Sequence, residues 1–306
     1  MGLMTQFTSY AAWWIGCKFG RKRPLVNTML INYDCNLSCR HCSIEGNRDA
    51  LPPKRKLTYD EVERELREHF ADGARILYFE GGEPTMWEDE EKNLGDLIRL
   101  GRKIGYFNIG YTTNGTNLFF TESDVISISL DGPPEVHDLI RGEGVYDMLM
   151  SNLDSVEHPA VFANVVIQKD NLHSVRETAE IARDHPVIKG AIFNFITPPP
   201  YEVALSREEK EGVVKELLSL KKEGFPILNS KGALRLLLEE DFGYMCPYYF
   251  SAFVLPDGSH ARGCPMAGTD SCKQCGFDAV REYYLIERGN PFTILEMSGM
   301  FALTKR

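Results

Sequence analysis

Apolar and polar positions divide the chain into three stretches with different periods. At the N-terminus Leu3, Phe7, Tyr10, Trp14 and Cys17 recur at steps of four and three, which places them on one face of a helix. From Asn27 to about Gly224, short apolar runs of strand length alternate with helical periods. The strands predicted are residues 27–32, 75–79, 106–111, 125–130, 161–167 and 190–196. Thr58 and Glu61 form a capping box ahead of a helix whose apolar face is Val62, Leu66 and Phe70, and Gly73 ends it. Further helices are expected over 94–103 and over 172–184, the latter with Val175, Ala179 and Ala182 in register. Ser206 and Glu209 cap a last helix carrying Val213, Val214, Leu217 and Leu218, stopped by Gly224 and Pro226.

Repeated strand–helix units imply an α/β fold with a parallel sheet. Six units are too few to close an eight-fold barrel, so a partial, TIM-like (β/α)6 barrel or an open sheet is expected, with its chemistry at the carboxyl ends of the strands. After about Lys231 the pattern breaks into a cluster of Tyr, Phe, Gly, Pro and Cys, with a hairpin signal at Pro256-Asp257-Gly258. The expected division is an N-terminal helix over 1–26, a core over 27–230 and a small Cys-rich α+β module over 231–306.

Composition narrows the choice of function. Hydrophobic residues at 43% and charged residues at 25% exclude disordered, collagen-like and low-complexity chains. A net charge of −10 argues against a polyanion-binding surface, so no nucleic-acid partner is expected. The charge is unevenly spread. The first 26 residues lack Asp and Glu but carry Lys18, Arg21, Lys22 and Arg23, so the other 280 residues hold −14. With Trp13 beside its apolar face, this basic segment suits packing on its own domain, a dimer contact or peripheral contact with a membrane surface. No signal peptide is visible and no apolar run reaches the ~20 residues of a membrane span. A cytoplasmic setting is therefore expected, and the eight cysteines should be metal-bound thiolates or buried thiols.

Candidate chemistry lies at two cysteine constellations. Cys35, Cys39 and Cys42 are spaced x3 and x2 in the loop after the first strand. Three thiolates serve three irons of a cubane and leave a fourth iron open; with His41 as a fourth ligand, a closed zinc site is the alternative. Other segments follow in order: Gly81-Gly82-Glu83-Pro84 after the second strand, Thr113-Asn114-Gly115 after the third, and Ser129-Leu130-Asp131-Gly132 after the fourth, with His137-Asp138 and Arg141-Gly142 beyond. Together they resemble the radical S-adenosylmethionine (SAM) superfamily, over roughly residues 27–276.

The resemblance implies that Cys35, Cys39 and Cys42 ligate a [4Fe-4S] cluster whose open iron chelates SAM. It implies that Gly81, Gly82 and Glu83 bind the methionyl ammonium, that Ser129 touches the ribose or carboxylate and that Arg141 pairs with the carboxylate. His41 would stack near adenine or else face solvent, and Asn114 would contact SAM or else form a turn. The implied activity is reductive cleavage of SAM to a 5′-deoxyadenosyl radical that attacks an unactivated carbon, with a flavodoxin- or ferredoxin-type reductant.

The second set, Cys246, Cys264, Cys272 and Cys275, could close a zinc site or fully ligate an auxiliary [4Fe-4S] cluster. Its context is similar to the SPASM extension of the maturase branch. Further SPASM cysteines are missing, so the shorter twitch form is expected, and the Gly258–Cys264 interval is one residue longer than the usual pattern. Cys17 is left over as a buried small hydrophobe. Cys246-Pro247 and the Cys272–Phe277 stretch loosely resemble a hopanoid-synthesis branch that acts on a lipid alkene. Substrate classes thus remain small molecule, lipid or peptide, and an iron–sulfur electron carrier or a zinc-stabilised binding module are the alternatives outside SAM chemistry. Cobalamin-dependent methyl transfer is not expected, since no cobalamin-binding domain is read ahead of residue 27. Tyr248, Tyr249, Phe250 and the Pro198-Pro199-Pro200 loop are read as pocket lining, or else as core and turn.

Overall fold

The structure is a computed structural model describing residues 3–197 and 201–303. The Pro198-Pro199-Pro200 loop lies outside the described residues, as do the side chains of Leu3 and Phe7. Among the described residues ten strands form: β1 (Val26–Leu30), β2 (Ile76–Glu80), β3 (Glu88–Asp89), β4 (Lys92–Asn93), β5 (Asn108–Thr113), β6 (Val125–Ser129), β7 (Val161–Ile167), β8 (Ile188–Phe195), β9 (Ser251–Val254) and β10 (His260–Arg262). β3 and β4 make a small separate ribbon. The other eight share one sheet in the order β10-β9-β1-β2-β5-β6-β7-β8, parallel throughout except for the antiparallel β9–β10 pair.

The helices, in chain order, are α1 (Leu3–Lys18), α2 (Ser43–Gly46), α3 (Tyr59–Asp72), α4 (Leu94–Ile104), α5 (Pro134–Arg141), α6 (Val145–Asp154), α7 (Val175–Asp184), α8 (Arg207–Glu223), α9 (Lys231–Leu236), α10 (Asp278–Glu287) and α11 (Pro291–Leu303). Both expected capping boxes are present: Thr58 with Glu61 opens α3, and Ser206 with Glu209 opens α8. The six expected core strands form within a few residues of their predicted bounds and make a partial barrel. Apolar positions such as Met29, Leu77, Phe79, Ile109, Ile126, Ile128 and Val165 are fully buried in the main core. Between them runs a polar series. The Tyr78 hydroxyl lies by the side chains of Thr112 and Ser127, and Asn194 donates to Asn164 at 2.9 Å. Strands packed on apolar groups on both faces read as continuous hydrophobic runs; this alternation marks a polar inner face instead.

The segment after Lys231 is not set apart from the sheet. Val26 of β1 pairs with Ser251 of β9 and Met29 with Val254, and Leu234, Leu237 and Val254 belong to the main core. The physical reason is that β1 would otherwise expose a row of unpaired peptide groups, and the β9–β10 hairpin covers them.

α1 closes the opposite end of the barrel from the strand carboxyl termini. Tyr10 meets Phe107 edge-on at 5.4 Å, Trp13 meets Tyr283 at 6.0 Å, and the Trp14 indole N–H donates to Ile286 O of α10 at 2.9 Å. Cys17 is buried, as expected of a small hydrophobe. The aromatic side of the helix is thus packed on the protein itself. Among the described residues no helix is long and apolar enough to cross a membrane.

Candidate functional site

The loop after β1 is zipped to the turn after β2. Gly82 N–H donates to Asn32 O and Glu83 N–H to Asp34 O, both at 2.8 Å, and Asn32 Nδ2 donates back to Glu83 O at 3.0 Å. Only glycine permits this approach. A Cβ on Gly81 would stand 2.3 Å from Asn32 Oδ1, and one on Gly82 would stand 2.3 Å from Asp34 O. The Gly-Gly pair thus brings the main chain of the cysteine loop into place.

Glu83 holds the same turn from beneath. Its Oε1 accepts from Thr85 N, Thr85 Oγ1 and Thr113 Oγ1, and its Oε2 accepts from Asn114 N at 2.7 Å. Its side chain is 1% exposed, and burial still pushes the carboxyl above its usual range against these donors. Asn114 Oδ1 accepts from Thr116 N and Oγ1, while its Nδ2 donates to Asn36 Oδ1 at 3.0 Å and approaches Cys35 Sγ at 3.8 Å. Asn114 is therefore a turn former that also steadies the cysteine loop.

Cys35, Cys39 and Cys42 line a cavity of about 380 Å³ together with His41, Gly81, Gly82, Glu83, Asn114, Ser129 and Arg141. All ten of the first site's sequence-predicted residues meet there. Leu37 N–H points to Cys35 Sγ at 3.4 Å, and Glu45 N–H to Cys42 Sγ at 3.5 Å, with Cys42 capping α2. Burial pushes the Cys39 thiol up to about 11 against the pull of Arg141, so the thiolate form calls for a metal's charge.

Asp131, quoted in the motif but not assigned a role, is the residue that fixes Arg141. It is fully buried; its Oδ2 accepts from Arg141 Nε at 2.6 Å and its Oδ1 from Val166 N at 3.1 Å. The guanidinium is left with Nη1 4.0 Å from Cys39 Sγ, at the cavity wall. The signal was legible as a polar residue at a strand end, ten positions before an Arg on the next helix.

His137 supports Asp131: its Nδ1 accepts the Asp131 N–H at 3.2 Å, and its Nε2 is buried without a partner. Burial, then the neighbouring Arg141, lowers its pKa from 6.5 to about 4. A histidine lowered in the folded state stabilises fully above its unfolded value and loses that stability as pH falls from 6.5 towards 4. The His137→Gln variant keeps an acceptor but cannot titrate. Chemical unfolding of both proteins at several pH values should show wild type losing on the order of 3 kcal/mol relative to the variant across that window. A pH-independent difference would refute the assignment.

The second constellation also assembles. Cys246, Cys264, Cys272 and Cys275 line a cavity of about 610 Å³ with Phe242, Tyr248, Phe253 and Met266. Gly276 N–H donates to Thr197 Oγ1 at 2.6 Å and Gly276 O accepts from Phe195 N at 3.0 Å, which seats the Cys275 loop on the end of β8. Arg281 of α10 is fully buried; it donates to the carbonyls of Leu236, Phe277 and Cys275 and brings Nη1 to 4.0 Å from Cys275 Sγ. Sequence reasoning missed Arg281, which sits in an unremarkable helical pattern. Of the aromatic candidates, Tyr248 lines this cavity, Phe250 stacks on Tyr283 at 4.0 Å in the core, and Tyr249 packs under the Lys22 ammonium at 4.9 Å. Among the described residues no three Cys, His, Asp or Glu side chains converge on one point to hold a single metal ion. The thiols ring open cavities instead, and Glu80, Thr197 and Phe277 line both.

The chain is similar to known proteins in sequence and in fold. Mycofactocin maturase MftC of Mycobacterium tuberculosis is 33% identical over 176 residues, 53% of this chain and 43% of that protein. The chain thus spans less than half the length of that curated relative. Two solved structures share the fold. anSMEcpe with bound AdoMet and a Kp18Cys peptide matches with a TM-score of 0.61 and 18% identity, over 89% of this chain and 83% of that one. Streptococcus suis SuiB bound to precursor peptide SuiA matches with a TM-score of 0.60 and 13% identity, over 90% and 68%. The family model of the radical SAM superfamily, whose members use a [4Fe-4S] cluster and SAM, matches residues 29–185, just over half of the chain, and the chain belongs to that superfamily.

Proposed function

We propose that this chain cleaves SAM reductively and directs the resulting 5′-deoxyadenosyl radical at an unactivated carbon of a peptide held between the two cysteine cavities. The observation that carries this reading is the meeting of three thiols, the Gly-Gly turn, Ser129 and Arg141 in one cavity that shares Glu80, Thr197 and Phe277 with a second, four-thiol cavity. The donor sets fit the groups. Cys35, Cys39 and Cys42 would hold a [4Fe-4S] cluster with one iron open to SAM, and Cys246, Cys264, Cys272 and Cys275 would ligate an auxiliary cluster fully. Four thiols around a cavity suit a polynuclear cluster better than one zinc ion. When bound, the first cluster supplies the electron for SAM cleavage.

The protein's own residues orient and shelter that chemistry. Arg141, pinned at Nε by Asp131, would offer its terminal nitrogens to the SAM carboxylate. The carbonyls of Gly81 and Gly82 would take the ammonium. Glu83, whose oxygens already accept four hydrogen bonds, would hold the turn instead of ligating. Ser129 would contact the ribose, and His41, whose Nδ1 is buried and unpartnered, would meet the adenine. Arg281 would stabilise negative charge on the auxiliary cluster, and a flavodoxin- or ferredoxin-type protein would supply electrons.

A peptide is favoured over a lipid on two grounds. The aromatic side of α1 is spent on the protein's own core, and two proteins of the same fold have been solved with peptides bound. The test is anaerobic reconstitution followed by dithionite and SAM. About eight irons per chain and formation of 5′-deoxyadenosine are expected. Bound iron without 5′-deoxyadenosine above background would leave an electron carrier; zinc without iron uptake would leave a binding module.

A further inference from the structure

Glu80 is the last residue of β2, directly ahead of the Gly-Gly turn and paired in register with Leu30 of β1. Tyr78 shares its face of the strand and has its hydroxyl beside Thr112 and Ser127. Glu80 has no such partner. No hydrogen bond or ion pair to its carboxyl is found among the described residues; the residue is half-buried and lines both cavities. The buried acids of the site are committed: Glu83 to four donors, Asp131 to Arg141. Thr197, its neighbour in the shared wall, is occupied too, accepting from Gly276 N and donating to Phe195 O. On the four-cysteine side the wall is apolar, with Phe253, Met266 and Phe277, and on the other side it carries Thr112, Asn164 and Asn194. A carboxyl that faces a cavity with no protein donor is left for solvent or a bound ligand to satisfy. Groups kept in that condition in a cleft mark binding or catalytic positions.

We propose that Glu80 recognises a cationic group of the substrate, a protonated amine such as a lysine side chain or a free amino group, at the wall common to both cavities. The proposal rests on the reading of these cavities as the reaction site. An ammonium brings three donors and a full charge, which a neutral amide does not, so it compensates both the unmet hydrogen bonds and the desolvated charge. Burial pushes the Glu80 carboxyl up to about 7, so an arriving ammonium also draws it into its charged form. The contact would place the substrate within reach of the SAM cavity while the rest of it lies along the apolar wall.

The test uses reconstituted, non-turning-over enzyme saturated with SAM and three small probes: n-butylammonium, butyramide and butyrate. Ligand-observed NMR titrations should give butylammonium an affinity about tenfold or more above the other two, as a charge-assisted contact requires. Glu80→Gln should abolish that preference and Glu80→Asp should keep part of it. The dissociation constant of SAM should change by less than about twofold in either variant, because Glu80 serves the substrate and not the SAM ammonium. Equal binding of all three probes to wild type, an undiminished preference in Glu80→Gln, or loss of SAM affinity in place of amine affinity would each overturn the proposal. Absence of 5′-deoxyadenosine in the SAM assay would sink the enzyme reading instead, and leaves these titrations readable.

Discussion

Alanine at position 82 is expected to abolish SAM cleavage while leaving the four-cysteine cavity loaded. The new Cβ would stand 2.3 Å from Asp34 O and 2.5 Å from Tyr33 O. Both obstacles are main chain, so no side chain can rotate out of the way. The strain is relieved only by pushing the loop that carries Cys35 and Cys39 off the turn, which also breaks the Gly82 N–H to Asn32 O and Glu83 N–H to Asp34 O bonds. Overpacking of this kind costs about 1–3 kcal/mol, and a displacement near 1 Å costs a reacting geometry about 100-fold in rate. Reconstituted iron should fall from about eight to about four per chain, and 5′-deoxyadenosine formation should drop at least about 100-fold. Circular dichroism should stay native, since the strain falls on the loop after β1 and leaves the strand pairings of the sheet in place. Wild-type iron content together with wild-type cleavage in Gly82→Ala would dismiss the zipper account.

The second large effect concerns Asp131. Asp131→Asn leaves the Arg141 guanidinium buried, 8% exposed, with its countercharge gone. Removing one partner of a buried pair typically costs about 3–5 kcal/mol, because the remaining charge is left without compensation. Urea unfolding of the protein at pH 7 should register a loss of that order. The double variant Asp131→Leu, Arg141→Met should recover much of it, since an apolar pair has no stranded charge. The pH dependence follows from the direction of the shift. Burial alone would raise the Asp131 carboxyl, but Arg141, His41, His137 and the Val166 N–H outweigh it and hold it below the usual range. A depressed carboxylate contributes stability above its unfolded value that disappears as pH falls through the folded one, so the variant's deficit should shrink in strong acid. A loss under about 1 kcal/mol at pH 7 would mean the pair is dispensable to the fold.

Both effects depend on contacts between distant parts of the chain, and that divides what was readable in advance from what was not. The capping boxes of α3 and α8 and the six core strands depend on neighbours within a turn or on a period of two, so the sequence carries them openly. Cysteine spacing is likewise local, and the loop it predicts lies where the strand order requires. The inner polar series was present in the same strands as alternation with apolar positions, but reading it requires knowing that one face of the sheet turns inward.

The sequence by itself determined the α/β order, the helix starts and the two sets of thiols, because each depends on side chains a few positions apart. Only the tertiary structure decided that β9 would pair with β1, that Glu83 would spend its oxygens on Thr85, Thr113 and Asn114, and that Arg141 would be turned towards Cys39, 102 positions away, by Asp131. Those outcomes follow from which desolvated groups find partners once the chain is packed, and linear order does not rank partners that folding alone brings within reach.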